Sequence, residues 1–174
     1  MIRSRLFVIL CALLLVLPGL SPTAAAAAAH PPLRGRVSWI YDGDTIEVNG
    51  VGKVRLLGID VPEHEDSDRD RFYRRWNIPP QRLRSIAHAA VAYLVKTAKG
   101  QDVALALDRE PRDRYGRLLA YVYLPDGTLL NRTLLEQGYA SVFRKYDFRF
   151  RDEFLAVEGR ARQRGVGLWQ YRRP

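Results

Sequence analysis

Arg36-Val37-Ser38-Trp39-Ile40-Tyr41-Asp42-Gly43-Asp44-Thr45-Ile46-Glu47-Val48-Asn49-Gly50-Val51-Gly52-Lys53-Val54-Arg55-Leu56-Leu57-Gly58-Ile59-Asp60 is the stretch that decides the fold. Val37, Trp39 and Tyr41 alternate with Arg36, Ser38 and Ile40, so Arg36 to Tyr41 reads as a first strand. Asp42-Gly43 signals a turn. Thr45 to Val48 reads as a second strand, Asn49-Gly50-Val51-Gly52 as a hairpin connection, and Lys53 to Ile59 as a third strand. Three strands joined by short turns make a β-meander.

Downstream, residues His64 to Pro80 break the pattern. Glu65, Asp66, Asp68 and Asp70 come first, then Arg71, Arg74 and Arg75 among Phe72, Tyr73 and Trp76. This reads as a long loop or irregular lobe bordering a cleft; its acids could repel phosphates, bind a second cation or be solvated, the last weighing most. Pro79-Pro80 suits the first turn of a helix. Leu83, Ile86, Ala87, Ala90, Val91, Leu94, Val95 and Ala98 then follow helical spacing, and Gly100 supplies a C-cap. His88 sits beside that apolar stripe and reads as a packed or edge histidine. Asp102 to Leu107 reads as a fourth strand, Arg109 to Gly116 as a charged loop and Arg117 to Leu124 as a fifth strand. Asn131 is expected to cap a short helix ending at Gly138, and a basic helix runs from about Phe150 to Arg164. Five strands with a helix after the third predict an α+β fold: a five-stranded, OB-fold-like β-barrel with about three helices packed on it.

The ends and the composition set further bounds. Met1 to Arg5 is basic, Leu6 to Leu20 apolar, and Ser21 to Ala29 small and Ala-rich. That layout predicts a cleaved secretory signal over residues 1–29 and one domain over 30–174, of about 145 residues, enough for a real core. The competing reading is a transmembrane anchor; the apolar run falls short of the ~20 residues a span needs. Cys11 lies within the leader, so the expected mature chain has no disulfide and no thiolate site. The formal charge is +9, and losing Arg3 and Arg5 leaves it near +7. A secreted protein this basic is suited to a polyanion.

Three short segments carry chemistry. Asp44 closes the first turn and Asp60 ends the third strand. If the barrel brings them together, a cation would relieve their repulsion; an all-oxygen donor set favours Ca2+, with Mg2+ or Mn2+ second. Either aspartate alone could equally be turn chemistry. Glu63 follows Pro62, which limits its freedom, and a carboxylate beside a metal-bound water is a natural general base. Arg55 and Arg117 are either structural ion-pair partners or a phosphate clamp able to neutralise a phosphorane-like transition state. Asp42 and Asp113 read as turn formers or supports.

With these residues in place, the chain resembles the thermonuclease family, the staphylococcal-nuclease-like domains. The resemblance rests on Asp42-Gly43-Asp44-Thr45, Arg55-Leu56-Leu57 with Asp60 and Pro62-Glu63, Asp113-Arg114-Tyr115-Gly116-Arg117, Ala120-Tyr121-Val122-Tyr123, Asn131 with Leu134, Gln137-Gly138 and Leu168-Trp169. It implies Ca2+ held by the Asp44 and Asp60 carboxylates and the Val61 carbonyl, with Glu63 acting on the attacking water. Arg55 and Arg117 would bind the scissile phosphate. Arg114 and Tyr115 would hold a terminal phosphate, and Tyr146 would stack on a base. The activity implied is Ca2+-dependent phosphodiester hydrolysis of DNA and RNA, with single strands preferred and 3′-phosphate products. The expected protein is a secreted or periplasmic monomer, free of the membrane after leader removal and without an obligate protein partner. A non-catalytic nucleic-acid-binding module on the same barrel is the main rival, and a structural Ca2+-binding surface protein the second.

Overall fold

The meander forms and then closes on itself. In the computed structural model, residues 33–170 are described, so the leader expected over residues 1–29 lies outside the described residues. The strands are β1 (Leu33–Ile40), β2 (Thr45–Val48), β3 (Gly52–Leu56), β4 (Ile59–Asp60), β5 (Asp102–Arg112), β6 (Leu118–Tyr123) and β7 (Ser141–Val142). The helices are α1 (Pro80–Thr97), α2 (Leu130–Glu136) and α3 (Arg151–Arg164). A closed barrel has the order β1-β2-β3-β6-β5, and β1 pairs with β5 to complete it. All pairings are antiparallel except β3 with β6. This is the predicted five-stranded barrel with three helices.

The barrel interior is filled by Val37, Ile46, Val48, Val54, Leu56, Leu105, Ala120 and Val122, all at most 1 % exposed. α1 has Pro80 at its start and buries Leu83, Ile86, Ala87, Ala90 and Leu94. Val95, predicted to lie in that stripe, is instead 46 % exposed. No helix of the described residues is long and apolar enough to cross a membrane.

Several boundaries differ from the sequence reading, each for a local reason. β1 carries an irregularity between Val37 and Trp39. It lets Val37 and Ile40 both face the core, and turns Trp39 and Tyr41 out to 55 % and 45 % exposure. A bulge re-aims side chains in this way because one extra residue resets the two-residue alternation. The third strand ends at Leu56 rather than Ile59, because Gly58 adopts φ +82°. Ile59 and Asp60 pair with Val142 and Ser141 instead. A Cβ on Gly58 would stand 2.6 Å from the Phe148 ring, so the turn also needs glycine for space. The predicted charged loop is half strand: β5 runs on to Arg112, which pairs with Leu118 after an irregular stretch.

Asn131 is not an N-cap. Leu129 holds that position, and Asn131 lies in the first turn of α2, fully buried. Its carboxamide accepts the Val122 amide at 2.9 Å and donates to the Leu57 and Ala120 carbonyls at 2.9 and 3.1 Å. It therefore satisfies backbone groups where β3 ends and the parallel neighbour β6 continues.

The irregular lobe contains two 3-10 turns, Asp68–Phe72 and Arg74–Trp76. It has its own apolar base of Tyr73, Ile78, Leu83, Ile86 and Leu168. Its acids are not all simply solvated: Asp70 is partly buried and pairs with Arg84 of α1, which Asp66 also meets from solvent. The ion pair fixes the lobe against the helix, and so fixes what the lobe presents to the barrel mouth.

Candidate active site

The site forms where the β1–β2 turn, the end of β3 and β4 converge. Asp44 and Asp60 are 3 % and 5 % exposed. They are brought together by a shared partner: one guanidinium nitrogen of Arg55 contacts Asp44, and the other lies 3.3 Å from Asp60 Oδ1. Thr45, the cross-strand neighbour of Arg55, donates to Asp44 Oδ1 at 3.0 Å. The Val61 amide donates to Asp44 Oδ2 at 3.3 Å, which sets the Val61 backbone against that carboxylate. Gly43 permits this closeness; a Cβ there would meet the Val61 side chain at 2.4 Å and Ala90 at 2.9 Å.

Asp42 supports Asp44 by accepting its amide at 2.9 Å. Burial, and then the charge of Asp44, push the Asp42 carboxyl up to about 7. Burial also raises Asp60; Arg69 and Arg55 pull against that shift while Asp44 adds to it. Burial works against the charge on Arg55, yet Asp44, Asp60, Asp42 and Glu63 together hold its pKa above the usual value. Four carboxylates thus act on a site with two buried or half-buried arginines, Arg55 and Arg69.

Sequence reasoning missed two of these contacts. Arg69, on the lobe, contacts Asp60 with one guanidinium nitrogen and lies 3.2 Å from Glu63 Oε1 with the other. The Tyr73 hydroxyl donates toward Asp60, with both Oδ2 and the backbone carbonyl at 3.2 Å. Neither residue carries a local signal, since only the lobe's fold brings it to the barrel; the run of mixed arginines and aromatics after Glu63 was the one available hint.

Arg117 reaches the same mouth from the start of β6. Its Nη1 is 3.5 Å from Thr45 Oγ1. Asp113 holds it in place, accepting from Arg117 Nε at 2.8 Å and from the Arg117 and Tyr115 amides at 3.0 and 2.9 Å. Burial pushes Asp113 upward, but these hydrogen bonds and the Arg117 charge outweigh it and leave the carboxyl below its ordinary range. Tyr115 is 68 % exposed, with the guanidinium carbons of Arg114 and Arg117 at 4.7 and 5.5 Å from its ring centre. An open pocket of about 340 Å³ is lined by Tyr41, Asp42, Thr45, Lys53, Arg69, Tyr115 and Arg117. Tyr146 is not part of this gathering. Its ring packs on Phe143 at 5.7 Å and under Lys145, in the segment after β7. A second groove, of about 430 Å³, lies beside Asp108, Asp147 and Arg149 and includes none of the predicted site residues.

The donor set is oxygen throughout. Among the described residues no three His, Cys, Asp or Glu side chains converge as a metal cluster, and Asp44 and Asp60 stand as a pair of carboxylates. A hard divalent cation fits such a set. The two arginines that contact these carboxylates mark a place where positive charge is already stabilised.

Residues 53–171 match the family described as Staphylococcal nuclease homologue. A thermonuclease of Staphylococcus intermedius is 33 % identical over 138 residues, covering 77 % of this chain and 74 % of that protein. An uncharacterised endonuclease of Escherichia coli O157:H7 is 36 % identical over 141 residues, covering 79 % and 77 %. An uncharacterised protein of Methanocaldococcus jannaschii is 36 % identical over 154 residues, covering 82 % and 74 %. With more than half its length matched, the chain belongs to the staphylococcal nuclease homologue family.

Proposed function

We propose that the protein is a nuclease that hydrolyses phosphodiester bonds of DNA and RNA, prefers single strands and depends on Ca2+. The observation that carries this reading is one linked cluster beside an open pocket: Arg55 joins Asp44 to Asp60, Arg69 joins Asp60 to Glu63, and Arg69, Thr45 and Arg117 line the pocket. The thermonuclease and endonuclease relatives support the same class of chemistry.

In this reading Asp44, Asp60 and the Val61 carbonyl would hold Ca2+, which when bound supplies charge stabilisation to the phosphoryl oxygens and lowers the pKa of a bound water. Arg117 lines the pocket with its Nε and Nη2 held by Asp113, so that its Nη1–Nη2 edge, with Thr45 Oγ1 3.5 Å from Nη1, is the one to meet a phosphate. A guanidinium so held offers two parallel donors to a phosphate without first reorganising. Arg55 is more deeply set and doubles as the clasp of the two aspartates. Glu63 is 38 % exposed in its side chain, so its carboxylate can accept a proton from water. Its present partner is Arg69, which must release it for that task. Arg114 and Tyr115 remain candidates for holding a phosphate beyond the scissile one. Secretion to the periplasm or medium, and action as a monomer, complete the proposal.

The test uses the purified chain and single-stranded DNA. Hydrolysis is expected with Ca2+ and not with chelator. Arg117→Ala is expected to lower kcat by about 10²-fold or more, as loss of one transition-state donor does. Equal rates in chelator would overturn the metal assignment, and an unchanged Arg117→Ala rate would overturn the clamp. If the wild type cleaves nothing with any divalent cation yet binds DNA, the binding-module reading replaces this one.

A further inference from the structure

The bulge in β1 puts two large aromatic rings in solvent that the sequence pattern alone would bury. Trp39 is 55 % exposed and Tyr41 45 % exposed, whereas Val37 and Ile40 beside them are core. Burying a tryptophan is among the larger apolar gains open to a small barrel, so its exposure is a cost the fold bears here. Each ring carries a lysine: Lys99 Nζ lies 4.7 Å from the Trp39 centroid and Lys53 Nζ lies 3.9 Å from that of Tyr41. Tyr41 and Lys53 also line the pocket that holds Tyr115 and Arg117. Tyr115, Tyr41 and Trp39 therefore form a sequence of exposed rings, leading from the proposed phosphate clamp across the outer face of β1 and ending at Lys99.

We infer that Tyr41 and Trp39, with Lys53 and Lys99, form a stacking track for single-stranded nucleic acid outside the reaction centre. This rests on the nuclease reading and deepens it. The rings are two residues apart along the chain, roughly 6.6 Å by strand rise, so they suit successive bases of an extended strand. Bases stack on exposed aromatics whatever their identity, and the adjacent ammonium groups can turn from ring to phosphate as a base arrives. Two acids stand in the path: Asp42, which lines the pocket and is turned to the Asp44 amide, and Glu47. Glu47 is the cross-strand neighbour of Trp39 and accepts the Tyr41 hydroxyl at 3.0 Å, which pins that ring. Lys53 faces Glu47 across the next strand pair and offsets its charge. The occupant is a polyanion with flat apolar groups, because both the lysines and the rings need a partner; a protein partner would leave the continuity with the phosphate pocket unexplained.

The experiment measures fluorescence anisotropy of dye-labelled oligothymidylates of about 3 and about 16 nucleotides, spanning the site sizes of OB barrels. Chelator is present throughout, so that no strand is cut. Trp39→Ala and Lys99→Gln are compared with wild type, and Trp39→Phe serves as the conservative variant. On the long strand Trp39→Ala is expected to weaken binding about tenfold, with Trp39→Phe restoring most of it. The loss should be at least threefold larger on the long strand than on the short one. Lys99→Gln is expected to reduce the salt slope of log affinity by about 0.7. Equal long-strand affinity of wild type and Trp39→Ala overturns the track, as does a loss independent of length. A wild type that cleaves nothing when Ca2+ is added, but whose long-strand binding still falls in Trp39→Ala, removes the nuclease reading and leaves the track standing.

Discussion

Asp60 is the most contested residue of the site. Arg55, Arg69 and Tyr73 all compete for its two oxygens, and burial makes each unmet charge costly. Any cation that binds there must displace part of this network. Arg69 is the natural member to leave, being on the lobe and 37 % exposed in its side chain, against 12 % for Arg55. Arg69→Gln is therefore expected to tighten Ca2+ binding about tenfold, read by calorimetry, because an internal competitor and a like charge are both removed. Asp113 makes a second prediction. Its carboxyl is held below the ordinary 3.8, so the native state binds the proton less readily than the unfolded chain. Its contribution to stability is present above that value and is lost as pH falls through the folded pKa. Asp113→Asn should lower Tm at neutral pH, and the gap from wild type should close as pH drops below 3.8. Asp44, Arg55, Asp60, Glu63 and Arg117 could be singled out in the sequence because each sits in a short motif at a strand end. Arg69 and Tyr73 could not, because their partners lie across an irregular lobe that has no periodicity to read.

Elements came through the sequence unevenly, and the reason differs for each. α1 was plain because four turns of apolar spacing accumulate one consistent signal. β1 is legible as a strand but its facing is not: a single bulge shifts every later side chain to the other side, and nothing in the residue types marks it. β3 was overextended because Leu57 and Ile59 look like strand, while Gly58 turns the chain with a positive φ. α2 illustrates the reverse error. Asn131 has the chemistry of a cap, but the tertiary structure uses it to satisfy one amide and two carbonyls of the barrel. Asn131→Ala is expected to cost about 3 kcal/mol in a denaturant titration, since the Val122 amide and the Leu57 carbonyl lose the carboxamide, while the Ala120 carbonyl keeps the Leu57 amide at 2.9 Å. A loss under about 1 kcal/mol would mean that water replaces the carboxamide.

At the scale of the whole molecule, one buried carboxylate joins parts distant in sequence. Glu158 of α3 is 2 % exposed and accepts the Val142 amide of β7 at 2.9 Å. Arg144 contacts it as well, and Arg162 Nη2 lies at 2.8 Å. The guanidinium carbons of both arginines lie over Trp76 of the lobe, at 5.7 and 4.5 Å from its ring centre, and that of Arg162 also lies over Trp169. Because β7 pairs with the strand that ends in Asp60, this node supports the site from behind. Glu158→Ala is expected to destabilise the fold by about 3–5 kcal/mol, as breaking one side of a buried pair does. Nearly wild-type stability in thermal and denaturant unfolding would show that α3 docks without it. The sequence by itself determined the barrel class, the α1 stripe and the motif residues, because periodicity and turn chemistry are local and repeat often enough to be read. Only the tertiary structure decided that Asp44 and Asp60 share one guanidinium, that the lobe delivers Arg69 and Tyr73, and that Trp39 faces water. Those outcomes depend on where strands end, bulge and close, and such choices are settled by the free energy of the assembled core rather than by any one segment.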